Sequence, residues 1–108
     1  ADSRIVSRIL AVAKVCADDT VLEIGPGRGA LTTHLAGVAG RLVAIELDEA
    51  LAANLKDRYA STANVEIFHG DARELSVEDL VGPGERYKLI ANLPYYAATR
   101  IIWKFLTM

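Results

Sequence analysis

Four short apolar segments alternate along the chain with segments of helical character, and this alternation restricts the possible folds more than any other feature. Each apolar segment has the length of a strand and is separated from the next by charged or glycine-containing stretches. The segments are TVLEIG, RLVAIEL, NVEIFHG and YKLIAN. A repeated strand–helix–strand pattern predicts an α/β fold, in which helices cover both faces of a parallel sheet.

The stretches between these strands predict the helices. A helix is expected over residues 30–38, ended by nearby glycines, and a second one in DEALAANLKDRYA, which begins with acids and ends with bases as the helix dipole favours. The segment DARELSVEDLVGPGER predicts a short helix and a Gly-Pro-Gly loop. Further helices are expected after the caps Asp2 and Ser3 and from Ala97 onward.

Right-handed crossovers between parallel strands predict the spatial strand order 3-2-1-4. In such sheets ligands bind at the carboxyl ends of the strands, beside the position at which the strand order reverses. We call this edge the carboxyl rim. Four loops are expected there: Gly25–Ala30, Glu46–Asp48, His69–Ala72 and Asn92–Tyr96.

Composition narrows the possible partners. The 108 residues make one domain or less. The net charge is −2 and there is no block of basic residues, so the chain lacks the basic stripe on which nucleic-acid binding usually depends. Binding to a nucleic acid must therefore depend on positive charge outside these residues. The apolar runs are too short to span a membrane, so no membrane partner is expected. The single cysteine, Cys16, cannot form an internal disulfide, which fits a reducing, cytoplasmic location.

The first rim loop follows a strand that carries an acid. In EIGPGRGALT, Gly25, Gly27 and Gly29 permit a tight turn and close approach of a ligand. This signal is weak alone, because Gly25, Gly27 and Ala30 also satisfy the spacing of dinucleotide-binding folds. Glu23 stands where a hydride-transfer fold would keep an apolar residue. Its carboxylate can order the loop through the loop amides or meet a ligand ammonium group, whereas the simplest interpretation is a solvent-facing acid.

Two further acids follow later strands. Glu46 ends the second strand, where a carboxylate can accept hydrogen bonds from both hydroxyls of an adenosine ribose. Asp71 follows the third strand and can accept a hydrogen bond from the amine of an adenine, while the Ala72 amide can meet a ring nitrogen. A solvated strand-end acid and an ordinary Gly-Asp turn are the simpler alternatives. Together these residues indicate an adenosine-containing ligand, but they do not separate a methyl donor from a nicotinamide cofactor.

The fourth strand leads into ANLPYY, the most specific motif of the chain. Pro94 restricts Leu93, so that a backbone carbonyl and the Asn92 side-chain oxygen can face one way. These two acceptors can hold both hydrogens of a purine amine, and Tyr95 offers a ring on which the base can stack. Such bonds favour a pyramidal nitrogen whose lone pair can reach a methyl sulfonium. This chemistry needs no metal.

The motifs VLEIGPGRGALT, IELD, GDA and ANLPYY, in this order, resemble the S-adenosylmethionine-dependent adenine N6,N6-dimethyltransferases of ribosomal RNA. Leu93 and the Gly-Pro-Gly around Pro26 are more similar to the small-subunit RNA enzymes than to the erythromycin-resistance methylases of large-subunit RNA. The resemblance implies a Rossmann-like methyltransferase fold with S-adenosylmethionine as the methyl donor and no metal. It also implies dimethylation of adenine N6 in small-subunit ribosomal RNA.

The resemblance further implies a role for each motif residue. Glu23, Gly25, Gly27 and Gly29 would hold the methionine end of the donor, Glu46 its ribose, and Asp71 with Ala72 its adenine; Asn92, Leu93, Pro94 and Tyr95 would receive the target adenine, with Asn92 also beside the donor.

The resemblance covers essentially the whole chain and implies that residues 1–108 are a partial catalytic domain, the donor-binding half through the NLPY motif. The family's segment before the position of Asp2, the remaining strands and the RNA-binding helical domain are expected to lie outside it. We therefore expect this chain alone to bind the donor weakly and RNA more weakly. The implied partner is the precursor of the small ribosomal subunit, and the expected state is a monomer.

Other functions remain open from the residues. A DNA adenine methyltransferase shares the Asn-x-Pro-aromatic pattern, although Leu93 replaces the second proline expected there. A methylase of large-subunit RNA shares the same chemistry. A nicotinamide-dependent oxidoreductase is favoured only by the glycine spacing and gives no role to Asn92 or Tyr95. Related domains also serve as transcription factors in organelles or as ribosome-assembly factors without catalysis.

Overall fold

The computed structural model describes residues 14–92, which form four strands and three helices in alternation. In chain order the elements are β1 (Thr20–Ile24), α1 (Ala30–Val38), β2 (Arg41–Glu46), α2 (Glu49–Arg58), β3 (Val65–His69), α3 (Val77–Val81) and β4 (Lys88–Ala91). Every strand and helix expected within these residues is present. The helices expected near Asp2 and from Ala97 onward lie outside the described residues.

The four strands form one parallel sheet in the order β3-β2-β1-β4, which confirms the expected topology. In the centre of the sheet, Leu22 of β1 lies opposite Val43 of β2 and Leu89 of β4. The strand order reverses beside β1, because the chain moves outward through β2 and β3 and then returns to the other side of β1. The carboxyl ends of all four strands therefore lie at one edge of the sheet.

Both faces of the sheet are covered, which explains why its strands are almost continuously apolar. Successive side chains of a strand point to opposite faces. Leu22 and Ile24 of β1 accordingly enter the core on the side of α3, whereas Val21 enters the core on the side of α1. The first core also contains Val43, Ile45, Val77, Leu80 and Val81, and the second also contains Leu31, Leu35, Leu42, Val65 and Ile90.

The two later helices begin at polar caps. The Asp48 side chain accepts a hydrogen bond from the Leu51 amide at 2.9 Å, and the Ser76 hydroxyl accepts one from the Asp79 amide at 3.1 Å. No helix within residues 14–92 is both long enough and apolar enough to cross a membrane.

The first helix, α1, ends at the predicted residue, but Gly37 does not end it. Gly37 lies inside its last turn, and the helix ends after Val38. The Asn64 side-chain amide, which comes from the segment before β3, donates to the carbonyls of Ala36 (2.9 Å) and Ala39 (3.1 Å). A side chain distant in sequence thus satisfies carbonyls at this helix end, a role that glycine motifs often fill.

Candidate functional site

The turns at the carboxyl rim are tied to neighbouring strands through their backbones. In each case, the first or second residue after a strand donates its N–H group to a carbonyl near the end of the adjacent strand. The bonds join Gly25 to Ile45 (3.0 Å), Gly70 to Glu46 (3.0 Å) and Asn92 to Ile24 (2.9 Å). The loops after β1, β2 and β3 consequently begin side by side, and Asn92 lies next to the start of the glycine-rich loop.

The glycine-rich loop uses backbone conformations that other residues adopt only with strain. Gly25, Gly27 and Gly29 have φ values of 76°, 60° and 87°. A Cβ atom at Gly29 would lie 2.6 Å from Arg58 Nη1 and 2.8 Å from Leu55 Cδ2, whereas one at Gly27 would meet no atom within 4 Å. A side chain at Gly29 would therefore force the ends of the Arg58 and Leu55 side chains on α2 to move. No described residue fills the space beside Gly27, which is open to a ligand.

The outer side of this loop is held by the end of α2. Arg58 donates from Nη1 to the carbonyl of Arg28 at 3.0 Å and from Nη2 to the side-chain oxygen of Asn54 at 3.0 Å. The hydroxyl of Tyr59 lies 2.9 Å from Thr33 Oγ1 on α1. These contacts connect α2 with both the loop and the helix that the loop begins.

The inner side of the loop is held by Glu46 at the end of β2. This carboxylate is only 7 % exposed, and its Oε1 accepts from the Gly27 amide at 2.8 Å while its Oε2 accepts from the Asp48 amide at 2.9 Å. Each carboxylate oxygen has a second acceptor position. Glu46 can therefore keep both amide bonds and still accept hydrogen bonds from two hydroxyl groups.

Glu23 is fully buried, so the interpretation as a solvent-facing acid is wrong. Its Oε1 accepts a hydrogen bond from the Thr32 hydroxyl at 2.7 Å, and its Oε2 has no hydrogen-bond partner within residues 14–92. Burial raises the pKa of this carboxyl to about 7; the Thr32 hydrogen bond opposes that rise and the nearby Glu46 charge adds to it. The loop amide at Gly27 bonds Glu46 instead. A contact between Glu23 and a ligand ammonium group stays a prediction.

Asp71 already holds a cation. Its Oδ1 accepts from the backbone amide of Arg73 at 2.9 Å and from Arg73 Nε at 3.0 Å, and its Oδ2 accepts from Nη2 at 2.7 Å. The Asp71 side chain is 16 % exposed and that of Arg73 is 60 % exposed. Ala72 between them is buried. Sequence reasoning missed Arg73, although an acid and a base two residues apart in a rim turn are a recognisable signal.

Leu47 is a second rim residue that sequence reasoning did not single out. Its apolar side chain is 64 % exposed although it directly follows the buried Glu46. The Leu47 carbonyl lies 3.2 Å from Nε2 of His69 at the end of β3, which connects the second and third rim loops. A large exposed leucine on an otherwise polar edge offers a surface for a flat apolar ring.

The rim thus assembles Glu23, the glycine loop, Glu46, Asp71 with Ala72, and the start of the Asn92 turn. Asn92 itself is exposed, whereas Leu93, Pro94 and Tyr95 lie outside the described residues. Across residues 14–92, no group of three or more His, Cys, Asp and Glu side chains is arranged to hold a metal ion.

Comparison with known protein sequences gives one consistent family. The family profile described as "Ribosomal RNA adenine dimethylase" matches residues 1–108 of the chain. The chain is 43 % identical over 107 residues to the "Ribosomal RNA small subunit methyltransferase A" of Geobacter metallireducens, and the match covers 97 % of this chain and 39 % of that relative. The chain therefore spans about two-fifths of the length of this relative.

Solved structures agree with the fold. The 23S rRNA methyltransferase ErmE has a TM-score of 0.81 at 29 % identity, with 94 % of this chain and 40 % of that chain covered. A dimethyladenosine transferase from Plasmodium falciparum has a TM-score of 0.80 at 29 % identity, with 99 % and 38 % covered. An RNA methyltransferase from Salinibacter ruber, solved with S-adenosyl-L-homocysteine, has a TM-score of 0.75 at 22 % identity, with 94 % and 65 % covered.

These similarities confirm the Rossmann-like fold of S-adenosylmethionine-dependent methyltransferases that the strand pattern and motifs predict. Since the family profile matches from the first residue to the last, the chain belongs to the ribosomal RNA adenine dimethylase family.

Proposed function

We propose that this chain is the donor-binding part of a methyltransferase that transfers methyl groups from S-adenosylmethionine to N6 of adenines in small-subunit ribosomal RNA. Because the chain spans about 39 % of the relative described above, the activity is a proposal about the whole protein. The observation that carries it is the rim itself, where a glycine loop, two buried acids and the Asn92 turn begin side by side at the point of strand-order reversal.

Two features of the structure fit an adenosine-bearing sulfonium with an amino-acid end. Oε2 of Glu23 is buried without a hydrogen-bond partner within residues 14–92, and the ammonium group of S-adenosylmethionine would supply the missing donor. The open space beside Gly27 permits close approach of the methionine end, for which we also assign Gly25 and Gly29. When bound, S-adenosylmethionine would supply the methyl group as an activated sulfonium.

The adenosine end would lie along the next two loops. Glu46 would accept hydrogen bonds from the ribose hydroxyls through the acceptor positions that its two amide bonds leave available. Asp71 and the amide of Ala72 would meet the adenine edge. Exposed Leu47, between the ribose and adenine acceptors, would pack against a face of the adenine ring.

The target adenine would bind at the fourth loop. The Asn92 side-chain oxygen and a carbonyl of the Leu93–Pro94 turn would accept the two hydrogens of the adenine amine, and Tyr95 would stack on its ring. These contacts orient the nitrogen lone pair without any covalent bond to the protein, so this chain contributes alignment and preorganised acceptors. The bonded contact between Asn92 and Ile24 would keep this corner next to the glycine loop.

The choice of small-subunit RNA depends on sequence similarity and not on the fold. The TM-scores to a 23S rRNA methyltransferase and to a dimethyladenosine transferase are nearly equal. The small-subunit methyltransferase of Geobacter metallireducens is 43 % identical, against 29 % for either of these structures. A large-subunit RNA substrate is therefore the second candidate.

The proposal is tested by methylation of small-subunit RNA. The chain, extended to the length of its relatives, is incubated with labelled S-adenosylmethionine and small-subunit or large-subunit RNA. We expect transfer to adenines of the small-subunit RNA, and a loss of turnover by orders of magnitude in Asn92→Ala. Glu85→Gln, a change at an exposed loop position outside the rim, is the control and should retain activity.

Preferred transfer to large-subunit RNA would replace the proposed substrate with the second candidate. Full activity of Asn92→Ala would remove the catalytic role of the fourth loop. For the 108-residue chain alone, calorimetry should give a dissociation constant weaker than micromolar for S-adenosylmethionine. A micromolar value would show that these residues suffice for donor binding.

A further inference from the structure

The contact between Thr32 and Glu23 is a buried polar pair inside an otherwise apolar core. Thr32 lies in the first turn of α1, on the helix face that packs Leu31 and Leu35 against the sheet. Both Thr32 and Glu23 are fully buried, and 2.7 Å separates Thr32 Oγ1 from Glu23 Oε1. A hydroxyl is unfavourable at such a position unless it has an acceptor. The carboxyl of Glu23 is that acceptor.

This pair leaves half of the carboxyl without a partner. Oε1 is held by Thr32, whereas Oε2 is buried with no hydrogen bond to any described residue. Folded proteins rarely retain buried polar atoms without partners, because each one is unfavourable to folding. The unfavourable contribution is offset if a ligand brings the missing donor.

Among residues 14–92, no cation is found in the surroundings of Glu23. Its neighbours in the sheet register are Ala44 on β2 and Ile90 on β4, both apolar. On the helix side α1 contributes the Thr32 hydroxyl, and the nearby charge is the like-signed carboxylate of Glu46. A ligand with a positive charge and several N–H donors is therefore complementary to this position, and a primary ammonium group has both properties.

We propose that Thr32 is a positioning residue for the ammonium group of the methyl donor: its hydroxyl holds one oxygen of Glu23 and leaves the other oxygen as the acceptor for that group. The inference rests on the proposed function, because it takes the ligand to be S-adenosylmethionine. In this arrangement the hydroxyl prevents rotation of the carboxyl, so that one defined oxygen faces the ligand. The pair selects donors that retain a free ammonium over nucleosides that lack one.

The arrangement makes donor binding depend on pH in a defined direction. The carboxyl must be ionised to pair with the ammonium, and burial holds its pKa at about 7 in the free protein. Binding should therefore release a proton below pH 7, and affinity should fall about tenfold for each further unit of acidity. Since the Thr32 hydrogen bond lowers the pKa of Glu23, Thr32→Val should move the start of this fall to higher pH.

The experiment compares two ligands and two variants of the chain. S-adenosylmethionine carries the ammonium, whereas 5′-methylthioadenosine keeps the adenosine and sulfur but lacks the amino-acid end. Both are titrated by NMR from pH 6 to 8.5 into the chain extended to the length of its relatives, as wild type, Thr32→Val and Thr32→Ser. At pH 8 we expect Thr32→Val to weaken S-adenosylmethionine binding about tenfold or more, as for hydrogen bonds to charged groups, and methylthioadenosine binding less than about twofold. Thr32→Ser should restore the wild-type preference.

A second measurement needs no ligand. The side-chain carboxyl ¹³C signal of Glu23 is followed with pH in the same three proteins. In Thr32→Val the carboxyl should titrate at a higher pH than in the wild type, and Thr32→Ser should return it to the wild-type value. This titration measures the effect of the Thr32 hydroxyl on the pKa of Glu23, even where a variant is less stable.

Several results would overturn the inference. An unchanged Glu23 titration in Thr32→Val would show that the hydroxyl does not hold the carboxyl. Equal weakening of both ligands would assign Thr32 a general structural role, and unchanged binding of both would leave it no role at the site. If the wild type binds neither ligand, the proposed donor site itself fails, and this outcome differs from a wild type that binds both but ignores the Thr32 variants.

Discussion

The replacement Glu23→Gln removes a buried charge while keeping the shape of the side chain. Glu23 is fully buried, and its pKa rises from an ordinary 4.5 to about 7 chiefly because burial disfavours the ionised form. Folding thus favours the protonated carboxyl, and the unfolded chain favours the ionised one over the same pH range. The free energy of unfolding must therefore change with pH in proportion to this difference.

The sign and size follow from these two pKa values. The stabilisation from a protonated Glu23 is complete below pH 4.5 and is lost as pH rises to about 7, above which it stays lost. A pKa that rises from 4.5 to about 7 corresponds to about 3 kcal/mol of stability lost across this window. Glutamine has no charge to bury, so Glu23→Gln should escape this loss.

The measurement is urea unfolding of the wild type and Glu23→Gln at a series of pH values from 4.5 to 8. Relative to the wild type, the variant should gain about 3 kcal/mol in free energy of unfolding across the series. The buried amide of glutamine also lacks a second hydrogen-bond partner. This destabilisation does not vary with pH, so it shifts the free energy of unfolding by the same amount at every pH. Glu85→Gln, a change at an exposed loop position, should show no comparable gain.

A difference between the two proteins that stayed constant from pH 5 to 8 would refute this reasoning. It would mean that Glu23 ionises at its ordinary pKa in the folded chain, and hence that water or a counter-charge reaches it. The assignment of its Oε2 to a ligand ammonium would then lose its physical basis.

Three further predictions concern the rim. In urea titrations, Gly29→Ala should lower the free energy of unfolding by about 1–3 kcal/mol more than Gly27→Ala. Both glycines have a positive φ, but only at Gly29 would the added Cβ lie less than 3 Å from other side chains. Equal losses would show that backbone strain alone matters. Arg73→Ala should strengthen adenosine binding up to about fivefold, because the Arg73 guanidinium would no longer compete for the Asp71 oxygens. Weaker binding would mean that the ion pair orients the acceptor. Glu46→Gln should destabilise the chain by about 1–3 kcal/mol at neutral pH, because the NH₂ group of the glutamine would face the backbone N–H of Gly27 or Asp48. An unchanged midpoint of urea unfolding would contradict the two hydrogen bonds from these amides to Glu46.

The sequence predicted the elements and their order because both depend on local patterns. Strand-length apolar runs separated by helical segments leave few arrangements other than a parallel sheet with covered faces, and the right-handed crossover then determines the order. The positions of Glu46 and Asp71 at strand ends followed from the same reasoning. For this reason the rim could be identified before any side-chain contact was known.

The contacts that give the site its properties could not be predicted in this way. The bond from Gly27 to Glu46 joins residues 19 positions apart, and the bond from Arg58 to the carbonyl of Arg28 joins residues 30 positions apart. Both depend on how closely two elements pack, which no local pattern encodes. Sequence reasoning accordingly offered Glu23 a role in ordering the loop, whereas Glu46 has that role.

If Glu46 holds a ribose as proposed, the glycine loop and the ribose position are thermodynamically linked. If one carboxylate both accepts from the Gly27 amide and binds a sugar, sugar binding must change the strength of the amide bond by the same factor by which that bond changes sugar affinity. The rate at which the Gly27 amide hydrogen exchanges with heavy water should therefore change when a sugar binds at Glu46. A single backbone proton would thus report on the ribose position through the carboxylate that they share.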